Sequence, residues 1–235
     1  MPRVEMFFAA KVNPDDEILK KCVAMNTGFD VASINEMQQL LDMGVDTKDF
    51  IFANPVKSEG QLKYAKEHGI LQMTFDSAEE LHKIKKHHPK ADCVLRIATD
   101  CTSAVYNLSE KFGASMKDVP ELLAVGKKLN LRIKGVAFHT GSGGVTIKAY
   151  RDTLQNARKV FDMASGMGLE EMDLLDIGGG FTLILPNSTK NFEEVAPIIG
   201  ELLDELFPED YIRVIAEPGR YVVESVVYLA SMIIG

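Results

Sequence analysis

The chain has 235 residues, of which 46% are hydrophobic and 26% are charged, and it carries a formal net charge of −8 at pH 7. This composition is ordinary for a globular protein, and the negative charge gives no support to nucleic-acid binding. No apolar stretch is long enough to cross a membrane. The three cysteines show neither a metal-binding spacing nor the even number of a disulfide framework, which favours the reducing cytoplasm.

Short apolar runs alternate with longer amphipathic stretches along the chain. Eight runs predict strands: Val4–Ala10, Phe29–Ala32, Phe50–Ala53, Leu71–Phe75, Cys93–Ile97, Ile133–Phe138, Leu174–Ile177 and Val214–Ala216. Seven stretches predict helices: Asp15–Met25, Ile34–Met43, Glu59–Glu67, Ala78–His87, Val119–Leu129, Lys148–Met167 and Phe192–Leu206. This alternation predicts an α/β protein with parallel strands, and eight strands favour a closed (β/α)8 TIM-type barrel over an open doubly wound sheet. The segment after Arg220 is predicted to be a further β-rich segment.

Two late strands end in segments suited to a phosphate group. These segments are Asp176-Ile-Gly-Gly-Gly180 and Glu217-Pro-Gly-Arg220. Glycine leaves backbone N–H groups unobstructed, and an arginine adds a bidentate positive fork. Phosphate sites of (β/α)8 barrels lie at the loops after strands seven and eight, so the two segments predict such a site.

Other strand ends carry side chains suited to an aldehyde cofactor. Lys11 follows the first strand, and desolvation at a barrel mouth is expected to lower its pKa and expose a nucleophilic amine. Taken alone, Lys11 is more consistent with a lysine that reaches solvent from a strand end. His139 follows the sixth strand, and Glu217 is placed to hold the protonated nitrogen of a pyridine ring. A phosphate cradle, a lysine and a carboxylate together predict a pyridoxal 5'-phosphate site.

Nine segments, in chain order and over nearly the whole sequence, resemble the fold-type III pyridoxal-phosphate decarboxylases, whose barrel is of the alanine-racemase type. Within this family, which acts on ornithine, lysine and arginine, they are most similar to the eukaryotic ornithine decarboxylase branch. The segments are FFAAKVN (7–13), GFDVAS (28–33), IFANPVK (51–57), QMTFDS (72–77), VLRIATD (94–100), LSEKFGA (108–114), FHTGSG (138–143), LLDIGGGF (174–181) and IAEPGRY (215–221).

The resemblance implies a role for each matching residue. Lys11 would bind the cofactor aldehyde, His139 would stack on its ring, and Glu217 would pair with the ring nitrogen. The residues that would hold the phosphate are Ser142, Gly178, Gly179, Gly180 and Arg220. The residues that would orient Lys11 and the ring are Asp30, Glu36 and Arg96. From its position alone, Glu36 is equally consistent with a solvated acid on a helix face. No metal site is predicted.

The resemblance also implies an activity, namely decarboxylation of L-ornithine to putrescine in polyamine biosynthesis, by a cytoplasmic homodimer. Residues 1–221 would form the cofactor-binding barrel. Residues 222–235 would lead towards the family's C-terminal β-domain, which has no counterpart here. That domain carries further catalytic acids, a cysteine used across the dimer and the acids that recognise the substrate side chain. Residues 1–235 alone are therefore expected to bind cofactor without turnover. The choice among ornithine, lysine and arginine stays open.

A non-catalytic regulator similar to the antizyme inhibitors is the alternative function. Such a protein is expected to have lost some cofactor-binding positions, whereas this chain keeps Asp30, Arg96, Lys111 and Arg220. The chain departs from the family at three positions, which usually hold valine, aspartate and proline but here are Thr140, Cys101 and Thr182. The basic stretch at residues 83–90, KIKKHHPK, is either a solvated helix face or, by the resemblance, a docking surface for an antizyme-like acidic regulator.

Overall fold

The computed structural model describes residues 1–99, 111–142, 146–169, 172–181, 192–225 and 232, and within them eight parallel strands close into a barrel in chain order. The strands are β1 (Val4–Ala9), β2 (Gly28–Val31), β3 (Phe50–Phe52), β4 (Gln72–Phe75), β5 (Asp92–Arg96), β6 (Arg132–Ala137), β7 (Leu174–Asp176) and β8 (Arg213–Ala216). The helices are α1 (Asp16–Ala24), α2 (Ile34–Asp42), α3 (Glu59–Glu67), α4 (Ala78–His87), α5 (Val119–Lys128), α6 (Ile147–Gly166), α7 (Phe192–Leu206) and α8 (Arg220–Val223).

The predicted barrel and its fifteen predicted elements are confirmed, and each predicted boundary lies within one residue of the observed one. Local chemistry explains this agreement. Four helices begin at a hydroxyl side chain that accepts a hydrogen bond from the backbone N–H three residues later, and these caps are Ser33, Ser58, Ser77 and Thr146. Such caps satisfy a backbone donor that the first helical turn leaves without a partner, so they mark helix starts in the sequence.

The prediction of a β-rich segment after Arg220 is wrong at the start of that segment. Residues Arg220–Val223 form the helical turn α8, closed by a hydrogen bond from the Glu224 N–H to the Arg220 carbonyl, 2.8 Å long. The β-branched residues of this stretch favour a strand by propensity, but they lie in a helical turn after Gly219 that buries Val223 in the core of the barrel. Tertiary packing therefore overrides local propensity here. Of the rest of that segment, residues 226–231 and 233–235 lie outside the described residues.

Two apolar layers support the barrel. Large side chains on the outward face of the strands pack against the helices, whereas a smaller cluster fills the interior. The interior cluster consists of Phe7, Ile51, Ala53, Val94, Ala137, Leu174 and Ile215. Gly28 makes room for the Phe7 ring, because a Cβ atom at Gly28 would lie 2.6 Å from that ring. The lower barrel is therefore a packed core, as is usual for this fold.

The strand period places polar groups above this core. Successive residues of a strand point to opposite faces, so residues two positions beyond the interior cluster also point inward. These positions hold Arg96 after Val94, Asp176 after Leu174 and Glu217 after Ile215. The apolar floor and the charged layer above it thus follow from one alternation. Across the described residues, no helix combines the length and the apolar character that crossing a bilayer requires.

Candidate active site

A cavity of about 560 Å³ opens at the carboxyl-terminal mouth of the barrel. This volume suits a small-molecule cofactor. The predicted site residues that line it are Lys11, Asp30, Arg96, His139, Ser142, Gly180, Glu217 and Arg220. Gly178 and Gly179 lie behind the cavity wall, packed against the neighbouring loops. Residues from six different strand ends or loops therefore meet at one place, although up to 209 positions separate them in the sequence.

Lys11 lies in a short 3-10 turn, Ala10–Val12, that follows β1 and aims the side chain into the cavity. Its Nζ forms an ion pair with the carboxylate of Asp30, which is only 1% exposed. Burial lowers the pKa of Lys11, but the carboxylates of Asp30, Glu217 and Glu36 raise it, and the net pKa is above its ordinary value. The expectation of a lowered pKa is therefore wrong. Lys11 is an ammonium here, and Asp30 is the base directly against it.

His139 is a neutral imidazole at the tip of β6. The Gly141 N–H donates a hydrogen bond of 3.0 Å to its Nδ1, so the ring proton belongs on Nε2. The Thr99 hydroxyl donates to the His139 carbonyl oxygen at 2.9 Å and holds the backbone. Burial, with the nearby charges of Arg96 and Lys11, lowers the pKa of His139 to about 3. A flat, uncharged ring in this position can lie against another aromatic ring.

Glu217 follows β8 and meets a carboxyl group that sequence reasoning did not assign to the site, Asp176 at the end of β7. Asp176 is 1% exposed, and its Oδ1 accepts a hydrogen bond of 2.8 Å from the Gly178 N–H. Its carboxyl group lies within hydrogen-bonding contact of Glu217. The sequence carries a signal for this role, because Asp176 is an acid at an inward position of an otherwise apolar strand.

The loop after β7 depends on glycine for space and for conformation. Gly178 and Gly180 have φ angles of +64° and +90°, in the region that favours glycine. A Cβ atom on Gly180 would lie 1.9 Å from the Gly141 carbonyl oxygen, and one on Gly179 would lie 2.4 Å from that of Glu217. The loops after β6, β7 and β8 can therefore pack together only with glycine at these positions. Their contact brings Ser142, Gly180 and Arg220 to one wall of the cavity.

Arg96 and Phe112 close another side of the cavity. The guanidinium of Arg96 lies 5.2 Å from the centre of the Phe112 ring, and the neighbouring Gly113 N–H donates a hydrogen bond of 2.9 Å to Asp76. Such a contact between a guanidinium and an aromatic face is favourable. Phe112 lines the cavity, and the sequence did not single it out, although its segment belongs to the resemblance.

Glu36 acts mainly as a helix cap. Its carboxylate accepts a hydrogen bond of 2.7 Å from the Ala32 N–H, while its own N–H donates to the Ser33 hydroxyl at 3.2 Å. It is half-buried and its charge contributes to the raised pKa of Lys11. Glu36 thus reaches Lys11 through charge, not by contact. Of the three departures from the family, Thr140 is buried beside His139, while Cys101 and Thr182 lie outside the described residues.

The basic stretch at residues 83–90 is largely occupied within the chain. Lys83 pairs with Glu80 at 2.5 Å, Lys86 and His87 lie 3.6 and 3.3 Å from Glu59, and the Lys85 Nζ donates to the Asn130 carbonyl at 3.4 Å. His88 is buried, with its Nε2 at 2.9 Å from the Ile70 carbonyl oxygen. These contacts favour the interpretation of the stretch as one face of helix α4.

The cavity fits a pyridine ring that carries an aldehyde and a phosphate. Glu217 has a buried carboxyl oxygen, Oε1, without a donor among the described residues, which suits a ring N–H. Ser142, Gly180 and Arg220 supply hydroxyl, backbone and guanidinium groups for a phosphate. Lys11 supplies the amine for the aldehyde, and His139 supplies a neutral ring face. When bound, such a cofactor withdraws electrons from a bond that breaks at the substrate's α-carbon.

Comparison with known proteins agrees with this geometry. The family model of the pyridoxal-dependent decarboxylase pyridoxal binding domain matches residues 1–224. Ornithine decarboxylase of Mus musculus is 47% identical over 235 residues, all of this chain and 50% of the mouse protein. Antizyme inhibitor 2 of Xenopus laevis is 45% identical over the same length, 51% of its own chain.

A solved structure also matches. The arginine decarboxylase of Paramecium bursaria Chlorella virus has a TM-score of 0.89 and 34% sequence identity, covering 94% of this chain and 59% of the viral one. The chain spans about half the length of the curated relatives that it matches. Because the family model covers nearly all of the chain and the cavity carries the groups that the cofactor needs, this protein belongs to the pyridoxal-dependent decarboxylases, through their pyridoxal-binding domain.

Proposed function

We propose that this barrel is the cofactor-binding part of an ornithine decarboxylase, which converts L-ornithine to putrescine and carbon dioxide. The observation that carries the proposal is the meeting of Lys11, His139, Glu217 and Arg220 in one cavity. Similarity to ornithine decarboxylases over the whole chain supports the substrate. Residues 1–221 would form the cofactor-binding barrel, and residues 222–235 would lead towards the family's second domain.

The residues of the cavity would act in distinct ways. Lys11 would hold the cofactor aldehyde after giving its ammonium proton to a base, for which Asp30 is in contact. His139 would lie on the ring and exclude water from that face. Glu217 would keep the ring nitrogen protonated. Arg220, Ser142 and the loop of Gly178, Gly179 and Gly180 would anchor the phosphate, while Arg96 would counter the surrounding negative charge.

Selection of ornithine over lysine or arginine is part of the proposal. The same barrel occurs in a solved arginine decarboxylase, so the barrel alone is compatible with different side chains. The discriminating measurement is the release of labelled carbon dioxide from carboxyl-labelled ornithine, lysine and arginine by the full-length protein. We expect the largest kcat/KM for ornithine. A larger value for either of the other amino acids would overturn the substrate but not the reaction.

Cofactor attachment gives the direct test of the site. The protein is incubated with pyridoxal 5'-phosphate and reduced with borohydride, and the labelled peptide is then identified by mass spectrometry. We expect the pyridoxyl group on Lys11 and its loss in Lys11→Ala. The control Lys20→Ala, on the exposed face of α1, should retain the label. Labelling of Lys57, Lys111 or another lysine in place of Lys11 would refute the site.

An antizyme-inhibitor-like regulator is the second candidate, favoured by the 45% identity to antizyme inhibitor 2. Retention of Asp30, Arg96, Lys111 and Arg220 supports the enzyme instead. Absence of cofactor binding, together with tight binding of an antizyme by the folded protein, would favour the regulator.

The assembly and location complete the proposal. The resemblance supports a homodimer. The resemblance and the cysteine usage of the chain support a cytoplasmic location. Sedimentation of the full-length protein would test the dimer, and a monomer at micromolar concentration would argue against it.

A further inference from the structure

Asp176 and Glu217 end adjacent strands at the cavity floor. The Ile177 N–H donates to the Ile215 carbonyl at 2.9 Å, and the Glu217 N–H donates to the Gly178 carbonyl at 2.7 Å. These two bonds fix the ends of β7 and β8 against each other. The carboxyl groups of Asp176 and Glu217 lie in hydrogen-bonding contact as a result.

The contact requires a proton that no other group provides. One oxygen of Asp176 is engaged, because Oδ1 accepts from the Gly178 N–H at 2.8 Å. The other oxygen, Oδ2, and Oε1 of Glu217 are buried and have no donor among the described residues. Two ionised carboxylates are acceptors only, so they cannot bond to each other, whereas a carboxylic acid and a carboxylate can. One proton on the pair supplies the donor that the contact between the two carboxyl groups otherwise lacks.

The charges that face the two carboxyl groups also indicate that the pair holds one proton. Lys11 after β1 and Arg96 on β5 contribute two positive charges, and His139 after β6 is neutral. Asp30 on β2 contributes one negative charge, in its ion pair with Lys11. A pair that holds one proton contributes one more negative charge, so the layer is neutral. Without the proton, the layer would carry an uncompensated buried charge, which is costly.

The direction of the pKa shifts agrees. Burial raises the pKa of Asp176 to about 7. Burial, together with the carboxyl groups of Asp176 and Asp30, raises the pKa of Glu217 well above its ordinary value, although the charge of Lys11 opposes this. The Gly178 N–H stabilises the carboxylate form of Asp176, whereas Oε1 of Glu217 has no such donor among the described residues. In the protein without cofactor the proton therefore lies on Glu217, whose hydroxyl donates to Asp176.

We propose that Asp176 is a positioning residue that shares one proton with Glu217 and takes that proton when the protonated pyridine nitrogen of the cofactor arrives. The O–H bond on Glu217 breaks as one forms on Asp176, so no proton is gained or lost. Glu217 then faces the ring N–H as a carboxylate, and the Asp176 hydroxyl donates to it from behind. This inference rests on the proposed function for Glu217 only in its second half, because the shared proton belongs to the protein alone.

Isotope-edited infrared spectroscopy tests the proposal. With 13C-labelled glutamate, the protein without cofactor should show a protonated-carboxyl band near neutral pH that shifts with the label. This band should disappear on alkaline titration. After cofactor is added, a protonated-carboxyl band should respond to labelled aspartate instead. Absence of any such band at neutral pH would overturn the shared proton, whatever the cofactor does.

Two variants separate positioning from a purely structural role. Asp176→Asn replaces the hydroxyl donor by an amide N–H, so the band of the free protein should vanish while cofactor affinity stays within about threefold. Asp176→Ala leaves Glu217 unsupported and should weaken cofactor binding by roughly tenfold or more, as for loss of a hydrogen bond to a charged group. Equal weakening by both variants, or a band that Asp176→Asn leaves unchanged, would contradict the proposal. If a variant does not fold, titration of the wild-type band still decides whether the two carboxyl groups share a proton. If the cofactor fails to bind the wild type while the band is present, the proposed function fails and the shared proton stands.

Discussion

Lys57 and Glu80 form an ion pair beneath the cavity wall in which both side chains are buried. The Lys57 Nζ lies 3.0 Å from the Glu80 Oε1, with side-chain exposures of 0% and 2%. The same Nζ donates to the carbonyl oxygens of Asn54 at 3.1 Å and Thr74 at 2.5 Å. Because Asn54 lines the cavity, this pair holds the loop after β3 in place at the mouth of the barrel.

Loss of one partner of this pair should destabilise the barrel. Lys57→Met leaves the buried Glu80 with Lys83 as its remaining ion-pair partner among the described residues, so we expect a loss of about 3 kcal/mol in the free energy of unfolding. Urea denaturation measures the loss. The matched control is Lys63→Met, which removes an exposed partner of Glu59 at 3.9 Å and should leave the unfolding free energy almost unchanged. Similar losses in the two variants would mean that the buried pair contributes no more to the free energy of unfolding than an exposed pair does.

Thr140 and Tyr150 should be energetically coupled. Both side chains are buried and their hydroxyl groups adjoin, while neither has an ordinary hydrogen bond to another described group. The Tyr150 ring also stacks on Phe181, with centroids 6.0 Å apart, directly after the glycine loop. A threonine in place of the family's usual valine therefore gives the tyrosine hydroxyl a polar neighbour.

We expect Thr140→Val to lower the unfolding free energy by about 1–2 kcal/mol, because the Tyr150 hydroxyl is then buried among apolar groups. The double variant Thr140→Val/Tyr150→Phe should recover most of this loss. A double-mutant cycle from thermal or urea unfolding measures the coupling. Additive effects of the two substitutions would show that the hydroxyl groups do not interact.

The neutral state of His139 predicts a dependence of stability on pH. Its pKa is about 3 in the folded protein, below the ordinary value near 6.5. The unfolded chain therefore binds a proton at this position below pH 6.5 that the folded protein does not bind. The contribution of His139 is complete above the unfolded pKa and is lost as the pH falls from about 6.5 towards 3.

The comparison of wild type with His139→Gln isolates this contribution. Between pH 6 and pH 5, the wild type should lose about 1 kcal/mol more unfolding free energy than the variant, since the slope approaches 1.4 kcal/mol per pH unit. Urea denaturation at the two pH values gives the difference. Parallel pH profiles for the two proteins would mean that His139 titrates normally when folded.

A methyl group at Gly180 should disrupt the mouth of the barrel. Gly180→Ala places a Cβ atom 1.9 Å from the Gly141 carbonyl oxygen at a φ angle of +90°, so the loops after β6 and β7 must separate. We expect a loss of at least about 2 kcal/mol in unfolding free energy and weaker binding of pyridoxal phosphate. Titration by absorbance measures the binding.

Gly166→Ala is the control for this substitution. Gly166 ends helix α6, and a Cβ atom there would have no neighbour within 4 Å. That change should leave cofactor binding unaltered and stability equal or slightly higher. If both alanine variants bound the cofactor equally well, the close contact between the two loops would not matter for the site.

The sequence by itself determined the barrel and most of its mouth. Strand and helix periods, together with caps such as Ser58 and Ser77, are local, so the element boundaries could be predicted to within one residue. Parallel strands bring their carboxyl ends to one face, so Lys11 and Glu217 could be predicted to meet although they are distant in the chain. The domain boundary, the substrate and the partners stay predictions.

Only the tertiary structure decided the charge state of the site and the direction of the last segment. The raised pKa of Lys11 depends on carboxylates from other elements, and the role of Asp176 depends on its contact with Glu217 across two strands. Electrostatic energies sum over neighbours in space, and desolvation depends on what covers a group, so neither quantity is written in a local pattern. Helix α8 follows the same rule, because the burial of Val223 against the barrel outweighed the strand propensity of its residues.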